Sequence, residues 1–374
     1  MIMPRPALER RVLASLDAGR IPVLLGGCGS GRTSLLLRLA QTVGHDRAQY
    51  LSMASIATTP ERCLAALVGA CRFRLRSGEL ASLPDSPRAA FDALLTFFDE
   101  ASAPNAQLAT FLIDDVLDVR TFESFPGLRH VQRELVARLA ASPNRFVLAS
   151  RFTKRMHRLL RDAPARFEVI HVPPLEASEV AALARLFDGG RPEWAHGSAP
   201  AIAALVGGRA AYAHILLAAL MQMGPANDPL AALASLFAPD GRLTEFCRQY
   251  YEFRLHRARG YGALKAILGV LAEVEPLNLT DIAQRLRRTP GSTKDYLSWL
   301  EDVDLVTVQR KRYAYEDPLL RMYVRLYGRA EPPTDDDLVR EIHAFAHIRL
   351  PRVEAPARAV AEPDVRQPGI IEID

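Results

Sequence analysis

Eight residues constrain this chain more than any others: Gly26-Gly27-Cys28-Gly29-Ser30-Gly31-Arg32-Thr33, preceded by the apolar run Pro22-Val23-Leu24-Leu25 and followed by the helix-like Ser34-Leu35-Leu36-Leu37-Arg38-Leu39-Ala40. Strand, glycine loop and helix in that order make a cradle for nucleotide phosphates. The loop must turn its backbone N–H groups inward around a polyphosphate, and side chains would block that approach. The helix that follows adds positive potential at the same place. The spacing is that of G-x-x-x-x-G-K-[ST], with Arg32 standing where lysine is usual. A guanidinium is wider than an ammonium, planar, and prefers to grip two oxygens. Charge is kept and geometry is not, so the expectation is that nucleotide binding survives while turnover is slow.

A second segment supplies the acids such a loop needs. Thr110-Phe111-Leu112-Ile113-Asp114-Asp115 is a buried-strand pattern ending in two carboxylates. Alone it reads as a strand-to-loop turn; together with residues 26–33 it reads as a nucleotide site. Asp114 would hold magnesium, directly or through water, the Thr33 hydroxyl would complete the metal shell, and Asp115 would orient or deprotonate the attacking water. A third strand ends in Leu148-Ala149-Ser150-Arg151, placing a hydroxyl and a cation at the same sheet edge, where they would sense the terminal phosphate. The alternative for Arg151 is an exposed arginine in an arginine-rich chain, since lysine occurs only at 154, 265, 294 and 311. Gly207-Gly208-Arg209 opens a long helix, from which Arg209 would reach back to a phosphate on closure. A glycine turn followed by an exposed arginine is the competing reading.

The chain's 374 residues, 49% hydrophobic and 24% charged, suffice for two or three domains with proper cores. Four scattered cysteines, at 28, 63, 71 and 247, lack the spacing of a zinc site or a disulfide framework, which fits a reducing cytoplasm. The N-terminus has no signal-peptide core, and the most apolar window, 201–223, is broken by Gly207-Gly208-Arg209, His214 and Gln222, so no membrane span is expected. A net charge of +4 is too balanced to announce nucleic acid by itself.

Residues 1–173 alternate strand patterns (22–25, 49–53, 110–113, 145–149, 168–172) with helical ones (65–75 and 87–101 among them). That order predicts an α/β nucleotide-binding core, a parallel sheet with helices on both faces. Residues 174–240 turn to an alanine- and leucine-rich helical texture that reads as a lid. Residues 241–328 carry four helical patterns (244–258, 261–272, 279–287, 292–301) and two strands (305–308, 312–315), which read as a winged helix with Thr280 capping its second helix. Of the last of these helices, Ser292, Thr293, Lys294, Asp295 and Ser298 are expected at the surface, one cation and one anion. Arg310, Lys311 and Arg312 of the wing, with Arg285, Arg287 and Arg288, would form a phosphate-contacting patch or simply a solvated basic face. Residues 329–374 hold one helix, 336–347, and a flexible tail.

These motifs, with the aromatic-x-x-Asp-Pro run Tyr313-Ala314-Tyr315-Glu316-Asp317-Pro318, resemble the AAA+/STAND class of P-loop ATPases, and within it the archaeal-type ATPases related to the origin-recognition proteins. The resemblance spans roughly residues 5–328. It implies ATP and Mg2+ as ligands, with Gly26 and Gly29, Ser30, Gly31, Arg32, Thr33 and Ser34 around the phosphates and Arg209 as a lid arginine. Thr33 and Asp114 fall to the metal; Asp115, Arg32 and Arg151 fall to catalysis. It also implies a switch that relays nucleotide state to a winged helix contacting DNA or a protein, and nucleotide-linked homo-oligomers in which Arg120, Arg151, Arg155 or Arg158 completes a neighbour's site. Three departures stand out: Arg32 for lysine, Asp115 for glutamate, and no proline after Gly207-Gly208. They leave open a hydrolysis-deficient ATP-binding scaffold or regulator without DNA contact.

Overall fold

The computed structural model describes residues 3–76, 84–187, 193–224, 228–256 and 260–350. Five parallel strands form the central sheet: β1 (Ile21–Leu25), β2 (Ala48–Ser52), β3 (Thr110–Asp114), β4 (Arg145–Ser150) and β5 (Phe167–His171), in the order 2-3-4-1-5. Their apolar runs suit a sheet covered on both faces, and their side chains alternate between two cores. Leu24, Leu112, Val147, Ala149 and Ile170 meet helices Pro6–Asp17 and Arg32–Val43 on one face. Val23, Leu25, Phe111, Ile113, Phe146 and Leu148 enter the larger core on the other. At its centre Phe111 lies 5.0 Å from Phe98, 5.2 Å from Phe73 and 5.6 Å from Phe146, ring centre to ring centre.

The strand order positions the site. β4 is inserted between β1 and β3, so the residues after β1, at the end of β3 and after β4 share one carboxyl edge. Beneath the opposite edge, fully buried Asn144 donates to Phe98 O and Ala101 O, both at 2.8 Å, and accepts from Ala109 N at 3.0 Å. One side-chain amide thereby satisfies backbone groups that no strand pairs.

Beyond the sheet come helices Ala177–Phe187, Glu193–Val206, Ala210–Met223 and Pro229–Leu236, the all-helical stretch read from the sequence. Helices Arg242–His256, Tyr261–Glu273, Leu279–Arg285 and Pro290–Asp302 follow, with a three-stranded antiparallel sheet of Leu277–Asn278, Val306–Gln309 and Arg312–Tyr315. Helices Pro318–Tyr327 and Asp335–Arg349 close the described chain. This last module docks on the core through helix Thr153–Leu160: Thr153 N donates to Asp304 at 2.7 Å, Arg158 pairs with Asp302 at 2.6 Å, and Lys154 pairs with Glu301. Among the described residues, no helix is long and apolar enough to cross a membrane.

Four expectations need correction. The helix read at 65–75 is Pro60–Ala70, started by the Thr59 cap with proline in its first turn, and Arg74–Leu75 is a strand paired with Ala101–Ala103. Helix Leu279–Arg285 is capped by Asn278, whose side chain accepts from Asp281 N at 2.9 Å, and not by Thr280. Thr293 is fully buried, its hydroxyl donating to Thr289 O at 2.9 Å. Leu277–Asn278 pairs as a third strand that the sequence did not announce. The tail beyond residue 350 lies outside the described residues.

Candidate functional site

The loop after β1 has the backbone its glycines foretell. Gly29 and Gly31 stand at φ +74° and +92°, and Gly31 is the N-cap of helix Arg32–Val43. The loop is also closely covered. Ala211 N donates to Gly29 O at 2.9 Å, and a Cβ on Gly27 would lie 2.6 Å from Arg209 Nη1. Glycine at 27 therefore leaves room for the Arg209 guanidinium, which approaches from the start of helix Ala210–Met223.

Arg32 is buried, and its Nη1 donates to Gly27 O at 2.8 Å and Ser30 Oγ at 3.3 Å. Its Nε has no hydrogen-bond partner. Burial pushes its pKa down, against the pull of Asp115 and Asp114. Next to it the exposed Thr33 places its hydroxyl 2.5 Å from Asp114 Oδ2, which also accepts from Tyr50 OH at 3.2 Å. Asp114 Oδ1 accepts from Asp115 N at 3.0 Å. Burial, then the Asp114 charge, raises the Tyr50 phenol well above its ordinary pKa, which keeps it a neutral donor. One hydroxyl and one carboxylate at a phosphate loop are the sparse protein donor set that suits magnesium, which takes its other ligands from water and substrate phosphates. No cluster of three or more His, Cys, Asp or Glu among the described residues offers an all-protein metal cage.

Asp115 and Arg151 meet each other. Arg151 Nε and Nη2 grip the two Asp115 oxygens at 3.0 and 2.7 Å, and Nη2 also reaches Asp118 at 3.0 Å. Burial raises the Asp115 pKa and Arg151 opposes that rise without cancelling it. The would-be water-activating acid is thus clamped by the would-be phosphate sensor. Ser150 is fully buried, and its hydroxyl accepts from Phe152 N at 3.1 Å.

Arg209, at the start of helix Ala210–Met223, lies against the glycine loop. Nη1 donates to Cys28 O and Nη2 to Glu316 O, each at 3.0 Å, while Nε lies 3.7 Å from Asp317. Burial disfavours its charge, and Asp317, together with Tyr212, Tyr250 and Glu316, outweighs that effect, holding its pKa above the ordinary value. Asp317 is 1% exposed, caps helix Pro318–Tyr327 through Leu319 N at 3.0 Å, and accepts from Tyr212 OH at 2.6 Å. Loop, helical stretch and C-terminal module therefore meet at one ion pair.

Of the neighbour-completing candidates, Arg120 pairs with Glu123 and Arg158 with Asp302, while Arg155 stacks on Phe152 at 5.2 Å. All three line a groove of about 1210 Å³ beside the site, between the core and helix Pro290–Asp302. Sequence reasoning missed Tyr50, Tyr250 and Arg254. The last two lie on the face of helix Arg242–His256 that meets the loop, spaced i, i+4, i+8 with Phe246; an arginine at a core-facing position of that period was the available signal.

No family model and no curated protein matches the chain. Among solved structures, a Walker-type ATPase of Pyrococcus abyssi superposes with a TM-score of 0.64 at 16% identity, over 87% of this chain and 96% of that one. The chain has the P-loop NTPase α/β fold. Weaker likenesses are the ORC1 protein of Aeropyrum pernix in complex with DNA (TM-score 0.45, 15% identity, 93% and 95% covered) and a Thermotoga maritima RuvB variant (0.44, 14%, 84% and 92%). On a P-loop fold the phosphate loop joins the first strand to the helix after it, and Gly26 to Thr33 lie between β1 and helix Arg32–Val43.

Proposed function

We propose that this chain binds ATP with Mg2+ at residues 26–34 and acts as a slow-turnover switch. The observation that carries the reading is the convergence of Thr33 and Asp114, 81 residues apart in sequence, to 2.5 Å at the mouth of the glycine loop. In this reading the loop N–H groups and Ser34 hold phosphates, Thr33 and Asp114 hold the metal, and the metal would neutralise phosphate charge. Two features support slow hydrolysis. Arg32 replaces the compact ammonium, and Asp115 is held by Arg151, so its oxygens are engaged before a water reaches them.

Residues 1–173 serve as core, 174–240 as lid, 241–328 as a winged helix and 329–374 as a terminal extension. Arg209 and Asp317 are the relay between nucleotide and winged helix, because they join Cys28 O to the start of helix Pro318–Tyr327. The exposed Arg310, Lys311 and Arg312, with Arg285, Arg287 and Arg288, face the DNA or protein partner. The cytoplasm is the compartment assigned, and a nucleotide-linked homo-oligomer the assembly. The Asp115–Arg151 clamp equally supports a scaffold that binds ATP and does not turn it over.

Calorimetric titration with Mg-ATP tests the site. Micromolar binding by the wild type, weakened tenfold or more in Asp114→Asn and in Thr33→Ala, is the expected result. Arg32→Lys is expected to speed steady-state hydrolysis. Absence of wild-type binding would discard the reading, and fast wild-type turnover would discard its slow-switch half.

A further inference from the structure

Among the described residues, seven buried side-chain polar atoms have no hydrogen-bond partner, and five of them belong to Arg32, Tyr250 and Arg254. Arg254 is the extreme case: 2% exposed, with Nε and both Nη atoms unpaired. Its guanidinium lies 4.5 Å from the Tyr250 ring centre and 5.2 Å from that of Phe152. Such stacking uses the flat face of the cation and leaves its in-plane N–H donors unsatisfied. A core does not ordinarily retain a cation in that condition, and a ligand that brings the acceptors explains why one is retained.

Position names the ligand's chemistry. Phe246, Tyr250 and Arg254 form one stripe on helix Arg242–His256, and the Phe246 ring sits 3.9 Å from where a Gly29 Cβ would stand. Arg254 is the strongest charge acting on the Cys28 thiol, ahead of Arg32, so the stripe runs along the loop toward Phe152 at the end of β4. The two arginines read as reaching the terminal phosphate from outside the glycine loop are already engaged: Arg151 by Asp115 and Asp118, Arg209 by Cys28 O, Glu316 O and Asp317. Arg254 is near Asp304, whose carboxylate instead accepts from Thr153 N at 2.7 Å.

We propose that Arg254, with the Tyr250 hydroxyl, receives the terminal phosphate of the bound nucleoside triphosphate, so that the discriminating cation comes from the helix after the lid and not from the core. This rests on the nucleotide reading above. Helix Arg242–His256 then becomes the element that distinguishes triphosphate from diphosphate.

The test is equilibrium binding of Mg-ATP and Mg-ADP to the full chain, with the melting temperature of the nucleotide-free protein measured alongside. In Arg254→Met, ATP affinity falls at least tenfold and ADP affinity stays within twofold. The nucleotide-free protein melts no lower than wild type, because a buried charge without hydrogen bonds has been replaced by an apolar side chain of similar length. Tyr250→Phe loses about threefold on ATP alone, and it carries the test if Arg254→Met does not fold. A wild type that binds both nucleotides while these variants bind ATP like wild type overturns the role of Arg254 and leaves the site standing. Equal losses on ATP and ADP also overturn it. A wild type that binds neither nucleotide overturns the site itself, and this inference with it.

Discussion

Asp317→Ala attacks the junction of the three regions, and its cost can be worked from the contacts the carboxylate makes. Loss of the cap on helix Pro318–Tyr327 costs about 1 kcal/mol. The Tyr212 hydroxyl, fully buried and 2.6 Å from Asp317, loses its acceptor, which costs about 1–3 kcal/mol. Arg209 loses its counter-charge; since the pair is 3.7 Å apart and the guanidinium keeps two carbonyls, about 1–2 kcal/mol is appropriate rather than the full cost of breaking a buried pair. These losses share one carboxylate and do not simply add, so about 4 kcal/mol is expected. Asp317→Asn keeps the capping oxygen and replaces the acceptor for Tyr212 by an amide N–H that donates to the phenol oxygen, so it should lose only about 1–2 kcal/mol. Urea unfolding followed by far-ultraviolet circular dichroism reads both. With a slope of about 3 kcal/mol per molar, the alanine variant shifts its midpoint by more than about 1 M. An alanine variant within about 1 kcal/mol of wild type, or equal losses for both variants, would refute the junction as the source of stability.

Gly208→Ala is expected to lose about 2 kcal/mol or more, because φ is +64° and the new Cβ would lie 2.6 Å from Pro174 Cβ and 2.7 Å from Leu175 O. Gly262→Ala, in a helix with nothing within 4 Å, should gain a few tenths to about 1 kcal/mol; thermal melts of the pair check both. Asn144→Ala strips the acceptors and donor beneath the sheet and should cost about 3–5 kcal/mol by urea unfolding, a loss under 1 kcal/mol speaking against the knot. Glu341 is 10% exposed and gripped by Arg325 at 2.8 and 2.9 Å, which holds its carboxyl below the ordinary 4.5. The folded state then binds fewer protons than the unfolded one, so this contribution is complete above pH 4.5 and lost as pH falls through the depressed value. Glu341→Gln should cost about 1–2 kcal/mol at pH 7, and its difference from wild type should narrow as melts are run at pH values falling below 4.5, closing once the depressed value is passed.

The three inner strands, β1, β3 and β4, were legible because each is buried almost throughout, which leaves a nearly unbroken apolar run in the sequence. Thr33 and Asp114 were legible for a different reason, since each ends or begins an element whose type is written locally. What escaped depends on partners distant in the chain. The Asp115–Arg151 grip joins the loops after β3 and β4 and has no local signature. Thr293 looked like a surface residue until its bond to Thr289 O allowed it to be buried. Asn278 outcompeted Thr280 as a cap because the chain arrives extended from a strand, and only a residue outside the helix can turn its oxygen onto the first N–H groups. Arg254 was hidden by abundance, because so many arginines leave any single one uninformative until its burial is known.

One apolar cluster runs without interruption from Ile21 in the sheet to Ala346 in the last described helix. The compositional boundaries near 173 and 240 are therefore not lines of weakness. A chain ended at residue 240 would uncover the side of the glycine loop on which Phe246 and Tyr250 rest, and would strand Arg209 without its carboxylate. Proteolytic nicking inside the molecule would yield fragments that stay together until denatured, a two-part noncovalent protein rather than separable modules.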